Sequence, residues 1–341
     1  MSQKELKTLI IGPAWVGDMM MSQTLYQQLK QNNPHREIHV VAPPWSRPLL
    51  ERMPEVSESI DLNIPHGQFN LSLRYQLGKE LREQGYQEAY VLPNSWKSAL
   101  IPFFAHIPKR IGWLGEGRWG LLNEVRYLDK ERYPLMTERF MALALEKHET
   151  LEKPYPVPHL AVDPENLKTT LNTFRLDQGI PILALCPGAE FGPSKRWPEW
   201  HYATIANEYL NQGWQVWIFG SKNDMAVTQS IDALTDHRCQ DLAGKTSLGQ
   251  AIDLLSLAHR VVTNDSGLMH IAAALHRPLV AVYGSTDPGF TPPLSEQVKM
   301  VRLGLSCSPC FKRECPLEHA DCLKQLSPNL VLDALTEFVT E

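Results

Sequence analysis

The sequence contains no long hydrophobic run. After the charged stretch Met1–Lys7, the first apolar segment is Leu9–Ile11, which is too short for the core of a signal peptide. No later segment approaches the roughly 20 apolar residues that a membrane-spanning helix needs. We therefore predict a cytoplasmic protein.

The sequence also lacks an excess of positive charge. Its 33 basic and 38 acidic residues give a formal net charge of -5, which argues against nonspecific binding to nucleic acid. Hydrophobic residues make up 43% and charged residues 21% of the chain, proportions that exclude a disordered or fibrous protein. A length of 341 residues fits two domains of ordinary size.

Residues 94–126 depart from this charge balance. They hold two acidic residues, Glu116 and Glu124, against five basic ones: Lys97, Lys109, Arg110, Arg118 and Arg126. Such an excess could attract an anionic partner. A solvated surface that binds nothing is the alternative interpretation.

Cysteine is scarce, and its placement is uneven. Cys186 and Cys239 are isolated in apolar, strand-like runs, where we expect unreactive core thiols. The other four lie close together as Cys307-x2-Cys310-x4-Cys315-x6-Cys322. In a reducing cytoplasm this cluster favours a metal clip over disulfides, although the spacing is looser than in a standard zinc finger. We expect free thiols and no metal, with structural zinc as the alternative.

Short β-rich runs alternate with helix-like segments along almost the whole chain. The predicted strands of the first half are Leu6–Ile11, Glu37–Ala42, Ser59–Leu62, Ala89–Leu92, Arg110–Gly112 and Arg126–Leu128. Those of the second half are Ile182–Cys186, Gln215–Phe219, Cys239–Leu242, Arg260–Thr263, Leu279–Tyr283 and Met300–Leu303. Because parallel neighbours need long connections, this alternation predicts parallel sheets with crossover helices.

The helical segments separate these strands. They are Asp18–Lys30, Leu71–Gln84, Leu135–Lys147, Pro198–Gln212, Leu248–Ala258, Ser266–Leu275 and, at the end of the chain, Asn329–Thr340. In the first of them, Met21, Leu25 and Leu29 form one stripe at the spacing of a core-facing helix.

A proline-rich segment, His148–Leu160, divides the two series of strands. We predict an α/β protein of two Rossmann-like domains, residues 1–153 and 154–341, whose parallel sheets face a central cleft. A ligand would bind in that cleft at the carboxyl ends of the strands. The last helix could pack on either domain.

The first strand-to-helix turn, Gly12-Pro-Ala-Trp-Val-Gly17-Asp18, is not a phosphate-binding loop. It lacks the closely spaced glycines of a dinucleotide fingerprint, and Asp18 stands where a Walker-type loop has its lysine. A carboxylate there would repel phosphate. Asp18 is instead a candidate general base at the cleft, and the alternative is that it only caps the helix.

A second turn, Cys186–Pro198, follows the first strand of the second half. Gly188 and the prolines predict an irregular loop, Lys195 and Arg196 add cations, and Pro198 opens the next helix. Cations beside a helix N-terminus suit a pyrophosphate. An ordinary basic loop is the alternative.

A third turn, Thr263-Asn-Asp-Ser-Gly-Leu-Met-His270, leads into an alanine-rich helix. The free amides of Ser266, Gly267 and Leu268 are predicted to bind an anion, and Asp265 could accept hydrogen bonds from sugar hydroxyls. His270 lies one turn further on, beside this predicted anion site.

A fourth turn, Phe219–Asp224, places the carboxylate of Asp224 where it could accept a hydrogen bond from a ribose hydroxyl. This signal is weak when it is taken alone.

Together, these segments resemble glycosyltransferase family 9. The resemblance rests on IGPAWVGDMMMSQTLY, VLPNSWKSALIPFF, GWLGEGRWGLLNE, CPGAEFGPSKRWP, VTNDSGLMHIAAAL and RPLVAVYGSTDPGFTPPL, which extend from Ile11 to about Leu294. It implies a GT-B fold, an acceptor-binding first domain and a second domain that binds ADP-L-glycero-β-D-manno-heptose.

The resemblance also implies residue roles. Asp18 matches the general base and Lys195 the diphosphate-binding lysine, so both are predicted to be catalytic. Further donor contacts are predicted at Gly188, Asp224, Asp265, Ser266, Gly267, Leu268 and His270, and acceptor contacts at Lys97, Arg110 and Arg118. No cofactor is predicted, because the protein's own cations and amides would neutralise the diphosphate.

The implied reaction is inverting transfer of a heptose from ADP-heptose to the first heptose of the lipopolysaccharide inner core, on heptosyl-Kdo2-lipid A. Contact with the surface of the inner membrane is a further expectation. Three alternatives are transfer to Kdo2-lipid A itself, epimerisation of a sugar nucleotide, and a lipopolysaccharide-binding module without catalytic activity.

Overall fold

A computed structural model describes residues 6–65, 67–146 and 149–338. It divides the chain into two compact units, Met1–Pro158 and His159–Glu341. The predicted boundary after residue 153 therefore precedes the observed one by five residues, and the linker prolines end the first unit. Of the segments predicted above, Lys147, His148 and the last residues of Asn329–Thr340 lie outside the described residues.

The first unit is built on a parallel sheet of six strands in the order β3-β2-β1-β4-β5-β6. The strands are β1 (Lys7–Ile11), β2 (Glu37–Ala42), β3 (Glu58–Asp61), β4 (Glu88–Val91), β5 (Lys109–Trp113) and β6 (Glu124–Arg126). Its helices are α1 (Val16–Asn32), α2 (Arg47–Leu50), α3 (Leu71–Leu81), α4 (Leu100–Phe104) and α5 (Met136–Met141). Buried apolar side chains of β1 and β4, such as Leu9, Ile11 and Val91, form the centre of its core.

The second unit has the same strand order. Its parallel sheet runs β12-β11-β10-β7-β8-β9. The strands are β7 (Ile182–Cys186), β8 (Gln215–Ile218), β9 (Gln240–Asp241), β10 (Arg260–Asn264), β11 (Leu279–Val282) and β12 (Val298–Val301). The helices are α6 (Pro164–Phe174), α7 (Glu199–Asn211), α8 (Met225–Ala233), α9 (Leu248–Leu255), α10 (Gly267–Ala274), α11 (Asp321–Lys324) and α12 (Pro328–Thr336). The prediction of two α/β units with parallel sheets is thus confirmed.

All twelve predicted strands exist, but two edge strands begin earlier than predicted. β6 starts at Glu124 because it pairs with β5 from Ile111 onward, and β12 starts at Val298 opposite Leu279 of β11. An edge strand is as long as its single neighbour allows, and the neighbour's register cannot be read from local composition.

Two helices, α6 and α8, were not predicted. The start of α6 nevertheless carries a clear signal, because the Asp163 side chain accepts hydrogen bonds from the amides of Glu165 and Asn166, and Pro164 occupies the first helical position. The predicted helix Leu135–Lys147 is shorter, since regular helix stops at Met141 and a 3-10 turn, Ala142–Ala144, follows. The last helix, α12, packs on α7, β11 and β12 of its own unit.

Candidate active site

The second unit has its switch point between β7 and β10. These strands are neighbours, and the chain leads from β7 to β8 on one side and from β10 to β11 on the other. Loops that leave the carboxyl ends of two such strands diverge and leave a crevice between them. The loop from Pro187 to Trp197 and the turn at Asp265 and Ser266 both begin at this point.

Asn264 ties these two loops together. Its side chain is fully buried; Nδ2 donates to the Pro187 carbonyl at 2.6 Å, and Oδ1 accepts from the Trp197 backbone N–H at 3.1 Å. Tyr202 adds a hydroxyl hydrogen bond of 3.0 Å to the same oxygen. The sequence analysis quoted Asn264 only as part of a motif and did not identify this positioning role.

Two predicted residues of the second unit meet directly. Lys195 Nζ lies 2.6 Å from Asp265 Oδ2, and their side chains are 15% and 6% exposed. Thr286 Oγ1, from the loop after β11, donates to the same carboxylate oxygen at 2.5 Å. Asp265 is therefore fixed by a cation and a hydroxyl, and it in turn fixes the ammonium group of Lys195. Thr286 was missed because its partner is 21 residues away in sequence.

An aromatic ring supports the lysine from below. The Phe191 ring centroid lies 5.1 Å from Lys195 Nζ and 5.4 Å from the Arg313 guanidinium carbon. Each cation is attracted by the face of the ring. Gly192 lets this loop pass close to another segment, since its φ is +155° and a Cβ there would lie 2.5 Å from the Arg313 carbonyl oxygen. Phe191 and Arg313 were not predicted.

Asp224 and Gly188 lie against each other. A Cβ on Gly188 would come within 2.5 Å of the Asp224 carboxyl group, so only glycine fits at this position. Asp224 Oδ2 accepts hydrogen bonds from the Ser221 amide (2.9 Å) and hydroxyl (2.7 Å), and Arg196 Nη2 lies 3.8 Å from Oδ1. The buried Oδ1 has no hydrogen-bond partner among the described residues. Asp224 thus stabilises its own turn and keeps one oxygen able to accept a hydrogen bond.

Helix α10 begins beside the Lys195–Asp265 pair. Its N-cap residue, Ser266, makes no side-chain capping hydrogen bond, and the first amides of an α-helix have no carbonyl partner within the helix. Ser266, Gly267 and Leu268 are partly exposed. An anion placed there would meet free N–H groups and the positive end of the helix dipole.

His270 is buried one turn into this helix, with 7% of its surface exposed. Burial lowers its pKa to about 4; Lys195 lowers it as well, while Asp265 opposes the shift. The imidazole is therefore neutral near pH 7. A neutral ring can accept or donate one hydrogen bond at the site without adding charge.

This buried histidine makes a prediction about acid stability. Because its pKa is lower in the folded state than the ordinary 6.5, the unfolded chain binds the extra proton first. Its contribution to stability is complete above pH 6.5 and is lost as the pH falls toward 4. In His270→Asn, the loss of melting temperature between pH 7 and pH 4.5 should be smaller than in the wild type. The control is His276→Asn, an exposed position with φ of 54° that asparagine tolerates; equal acid sensitivity of wild type and His270→Asn would contradict the prediction.

Asp18 lies at the equivalent point of the first unit. It is the third residue of α1, which follows β1 at the switch point between β2 and β4, and it is partly buried. The N-cap position belongs to Trp15, which makes no side-chain capping hydrogen bond. Asp18 therefore occupies the first turn at the carboxyl edge of the sheet, where the helix dipole favours a carboxylate.

The three predicted acceptor contacts lie in different surroundings. Lys97 is part of a 3-10 turn, Trp96–Ala99, that follows β4 at the same edge of the sheet as Asp18. Arg110 is at the opposite, amino-terminal end of β5; its guanidinium donates to the carbonyls of Leu121 and Ile107, both at 2.6 Å. The location of Arg110 therefore does not suit a site at the carboxyl edge.

Arg118 corrects the interpretation of the basic segment. Its side chain is 0% exposed, and its guanidinium donates to the carbonyls of Trp113 (2.5 Å) and Pro93 (2.6 Å). Burial lowers its pKa to about 10, and nearby Glu116 opposes the shift, so the group stays charged. A side chain in this position stabilises the loop after β4 and cannot contact an acceptor.

Arg118→Met should therefore lower stability and leave the donor site intact. The substitution leaves two buried carbonyls without donors, at about 1–3 kcal/mol each. We expect a clear drop in melting temperature with an unchanged affinity for ADP. Lys130→Met, at an exposed position of the same unit, is the control. Normal thermal stability of Arg118→Met together with weakened acceptor binding would restore Arg118 to the site.

The described part of the chain contains no helix that is long and apolar enough to cross a membrane. Its two units have the same Rossmann-like strand order, and one of them places a buried lysine–carboxylate pair next to a helix N-terminus at its switch point. These features, and the structural match given next, define a glycosyltransferase with a GT-B-like fold.

The comparisons specify the family. Residues 74–321 match the family described as glycosyltransferase family 9 (heptosyltransferase). The chain belongs to glycosyltransferase family 9. It is 48% identical to lipopolysaccharide heptosyltransferase 2 of Escherichia coli, over 98% of this chain and 99% of that protein. It is 52% identical to lipooligosaccharide heptosyltransferase 2 of Haemophilus influenzae, over 87% and 89%. The solved structure of E. coli ADP-heptose LPS heptosyltransferase II superposes with a TM-score of 0.86 and 48% identity, covering 97% of this chain and 98% of that chain.

Proposed function

We propose that this enzyme transfers L-glycero-D-manno-heptose from ADP-L-glycero-β-D-manno-heptose to the first heptose of the lipopolysaccharide inner core, with inversion at the anomeric carbon. The names of its relatives at 48–52% identity support the substrates. The observation that carries the proposal in the chain itself is the Lys195–Asp265 pair beside the N-terminus of α10.

In this proposal, the second unit binds the donor. Lys195 and the amides of Ser266–Leu268 hold the diphosphate, since a cation and free N–H groups suit an anion better than either does alone. The free oxygen of Asp224 accepts a hydrogen bond from the ribose, and the absence of a side chain on Gly188 leaves its carboxyl group room. Asp265 orients Lys195, and the neutral imidazole of His270 contacts the donor without cancelling the charge of the lysine.

The first unit would bind the acceptor and supply the base. Asp18 removes the proton from the acceptor hydroxyl as that oxygen attacks the anomeric carbon. The new carbon–oxygen bond forms as the bond to the diphosphate breaks, and ADP leaves with the electron pair. Lys195 and the α10 amides stabilise the charge that develops on ADP.

Acceptor binding is proposed for Lys97, which could pair with a phosphate of the glycolipid. Next to it, the ring of Trp96 is 41% exposed, and Phe103 on α4 is 39% exposed. Most of the neighbouring apolar run is core, since Leu100, Ile101 and Ile107 are buried. We propose that these exposed rings rest against the membrane surface that carries the acceptor.

An acceptor comparison tests the proposed substrate. Purified enzyme is given ADP-heptose with Kdo2-lipid A, or with the same lipid carrying one heptose, and the products are analysed by mass spectrometry and by NMR of the anomeric configuration. We expect one added heptose of inverted configuration on the second acceptor only. Transfer to Kdo2-lipid A would identify a first-heptose enzyme, and glycolipid binding without transfer would identify a binding module; either result would overturn the proposal.

A further inference from the structure

Heptose transfer does not use the cysteine-rich loop between β12 and α11. This loop, residues 302–320, has no regular secondary structure, and the chain follows left-handed backbone at Phe311, Glu318 and Ala320. It carries three cysteines, and the fourth is in α11; the four are Cys307, Cys310, Cys315 and Cys322. A loop of this length without regular structure needs other contacts to hold it.

All four cysteines line one small cavity. Its volume is about 20 Å³, close to the space of a single water molecule or ion, and Ser194 and Ser285 also border it. Each of the four is a partly buried free thiol. His319 lies at the same cavity, but its Nδ1 already accepts the Asp321 amide at 2.9 Å. The cavity is therefore lined by four thiols that converge from separate points of the loop.

One of these sulfurs is surrounded by amides. The backbone N–H groups of Leu317 and Ala320 hydrogen-bond to Cys315, and the left-handed residues in this turn aim them inward. Amides that point at a sulfur satisfy the charge of a thiolate, which is the form that binds metals. A purely apolar core cysteine, such as Cys186, has no such surroundings.

We propose that Cys307, Cys310, Cys315 and Cys322 together bind one Zn²⁺ ion. In the described residues, no three potential ligands are already spaced for a metal, so the thiol side chains rotate into the cavity as the ion enters. Four thiols lose four protons and form four zinc–sulfur bonds of about 2.3 Å, in the closed tetrahedral geometry of a structural site. No bond of the transferred sugar is involved.

The zinc site would stabilise the donor site through direct contacts of its loop. The Ser194 amide donates to the Arg313 carbonyl at 3.2 Å, and the Phe311 amide donates to the Ser285 carbonyl at 2.8 Å. Ser194 precedes Lys195, and Ser285 precedes Thr286, so the loop supports both partners of Asp265. Losing the metal should therefore loosen Lys195 without removing any donor contact.

The first test is metal content. Full-length enzyme is purified without chelators or immobilised metal, and zinc is measured by mass spectrometry of the digested protein. We expect about one zinc per chain, and cobalt substitution should give the sulfur-to-cobalt charge-transfer absorption of a tetrahedral thiolate site. Less than a tenth of an equivalent of zinc, together with no cobalt absorption on reconstitution, would overturn the proposal. Bound metal whose cobalt form lacks that absorption would also overturn it.

The second test uses variants. Cys315→Ser and Cys322→Ser should each lose most of the zinc, whereas Cys239→Ser, at a buried position outside the cluster, should keep it. The cobalt spectrum of the wild type stands even if a variant folds poorly. ADP affinity should fall several-fold in the two cluster variants and after chelation of the wild type. Zinc binding does not depend on the proposed substrates, so failure of the heptose-transfer assay would leave this result unaffected; retention of zinc by both cluster variants would contradict it.

Discussion

Asp18→Asn should reduce turnover by about 10²- to 10⁴-fold, the usual range for loss of a general base. The amide has the shape of the carboxylate but cannot take the acceptor's proton. Donor binding is proposed to depend on the second unit, so the affinity for ADP should stay within about twofold of the wild type. Turnover is measured at saturating donor and acceptor, and ADP affinity by calorimetry.

The matched control for Asp18→Asn is Glu80→Gln, which removes an exposed carboxylate from α3 in the same unit. It should behave as the wild type in both measurements. If Asp18→Asn kept near-normal turnover, the proton would have to go to another group, and the proposed base would be wrong.

Lys195→Met should weaken both ADP binding and catalysis. The substitution removes the cation and leaves the carboxylate of Asp265, which is 6% exposed, with only Thr286 as a described hydrogen-bond partner. An unpaired negative charge would then face the diphosphate. We expect ADP affinity to fall about 10- to 100-fold, equivalent to about 1.4–2.8 kcal/mol, and turnover to fall by about 10²-fold or more.

A double variant separates the two effects of this substitution. Lys195→Met/Asp265→Asn removes the charge that the single variant leaves unpaired, so it should regain part of the lost thermal stability while remaining inactive. Lys168→Met, at an exposed position of α6, is the control. Unchanged ADP affinity in Lys195→Met would show that the lysine does not contact the diphosphate.

The sheet was predictable because its strands are buried on both faces. Runs such as Ile182–Cys186 are continuously apolar and are bounded by proline and glycine, so their type and limits are visible in the sequence. The two isolated cysteines were also predicted correctly as core residues: Cys186 is 0% exposed and Cys239 is 9% exposed. Burial raises the pKa of both, to about 11 for Cys239.

The site was predictable only in part, because motifs identify residues and not their partners. Lys195 and Asp265 were predicted separately, and their ion pair spans 70 residues of sequence. Thr286 and Arg313 reach the same place from loops that carry no chemical signature of their own. Such contacts are set by the register of the sheet and the course of long loops.

Arg118 shows the opposite error. A basic residue in a basic segment was interpreted as an exposed anion contact, since arginine is rarely fully buried unless it is paired. Its partners are backbone carbonyls of Trp113 and Pro93, and a loop's unpaired carbonyls cannot be recognised from composition. Charge runs therefore predict surface potential better than they predict the role of one residue.

The most direct measurement is ADP release by the purified enzyme, with ADP-heptose and the mono-heptosylated acceptor supplied separately and together. The proposed displacement predicts rapid release only when both are present, at one ADP for each heptose added, and loss of that release in Asp18→Asn. Consumption of ADP-heptose at the same rate without acceptor, or no consumption in the complete mixture, would contradict it.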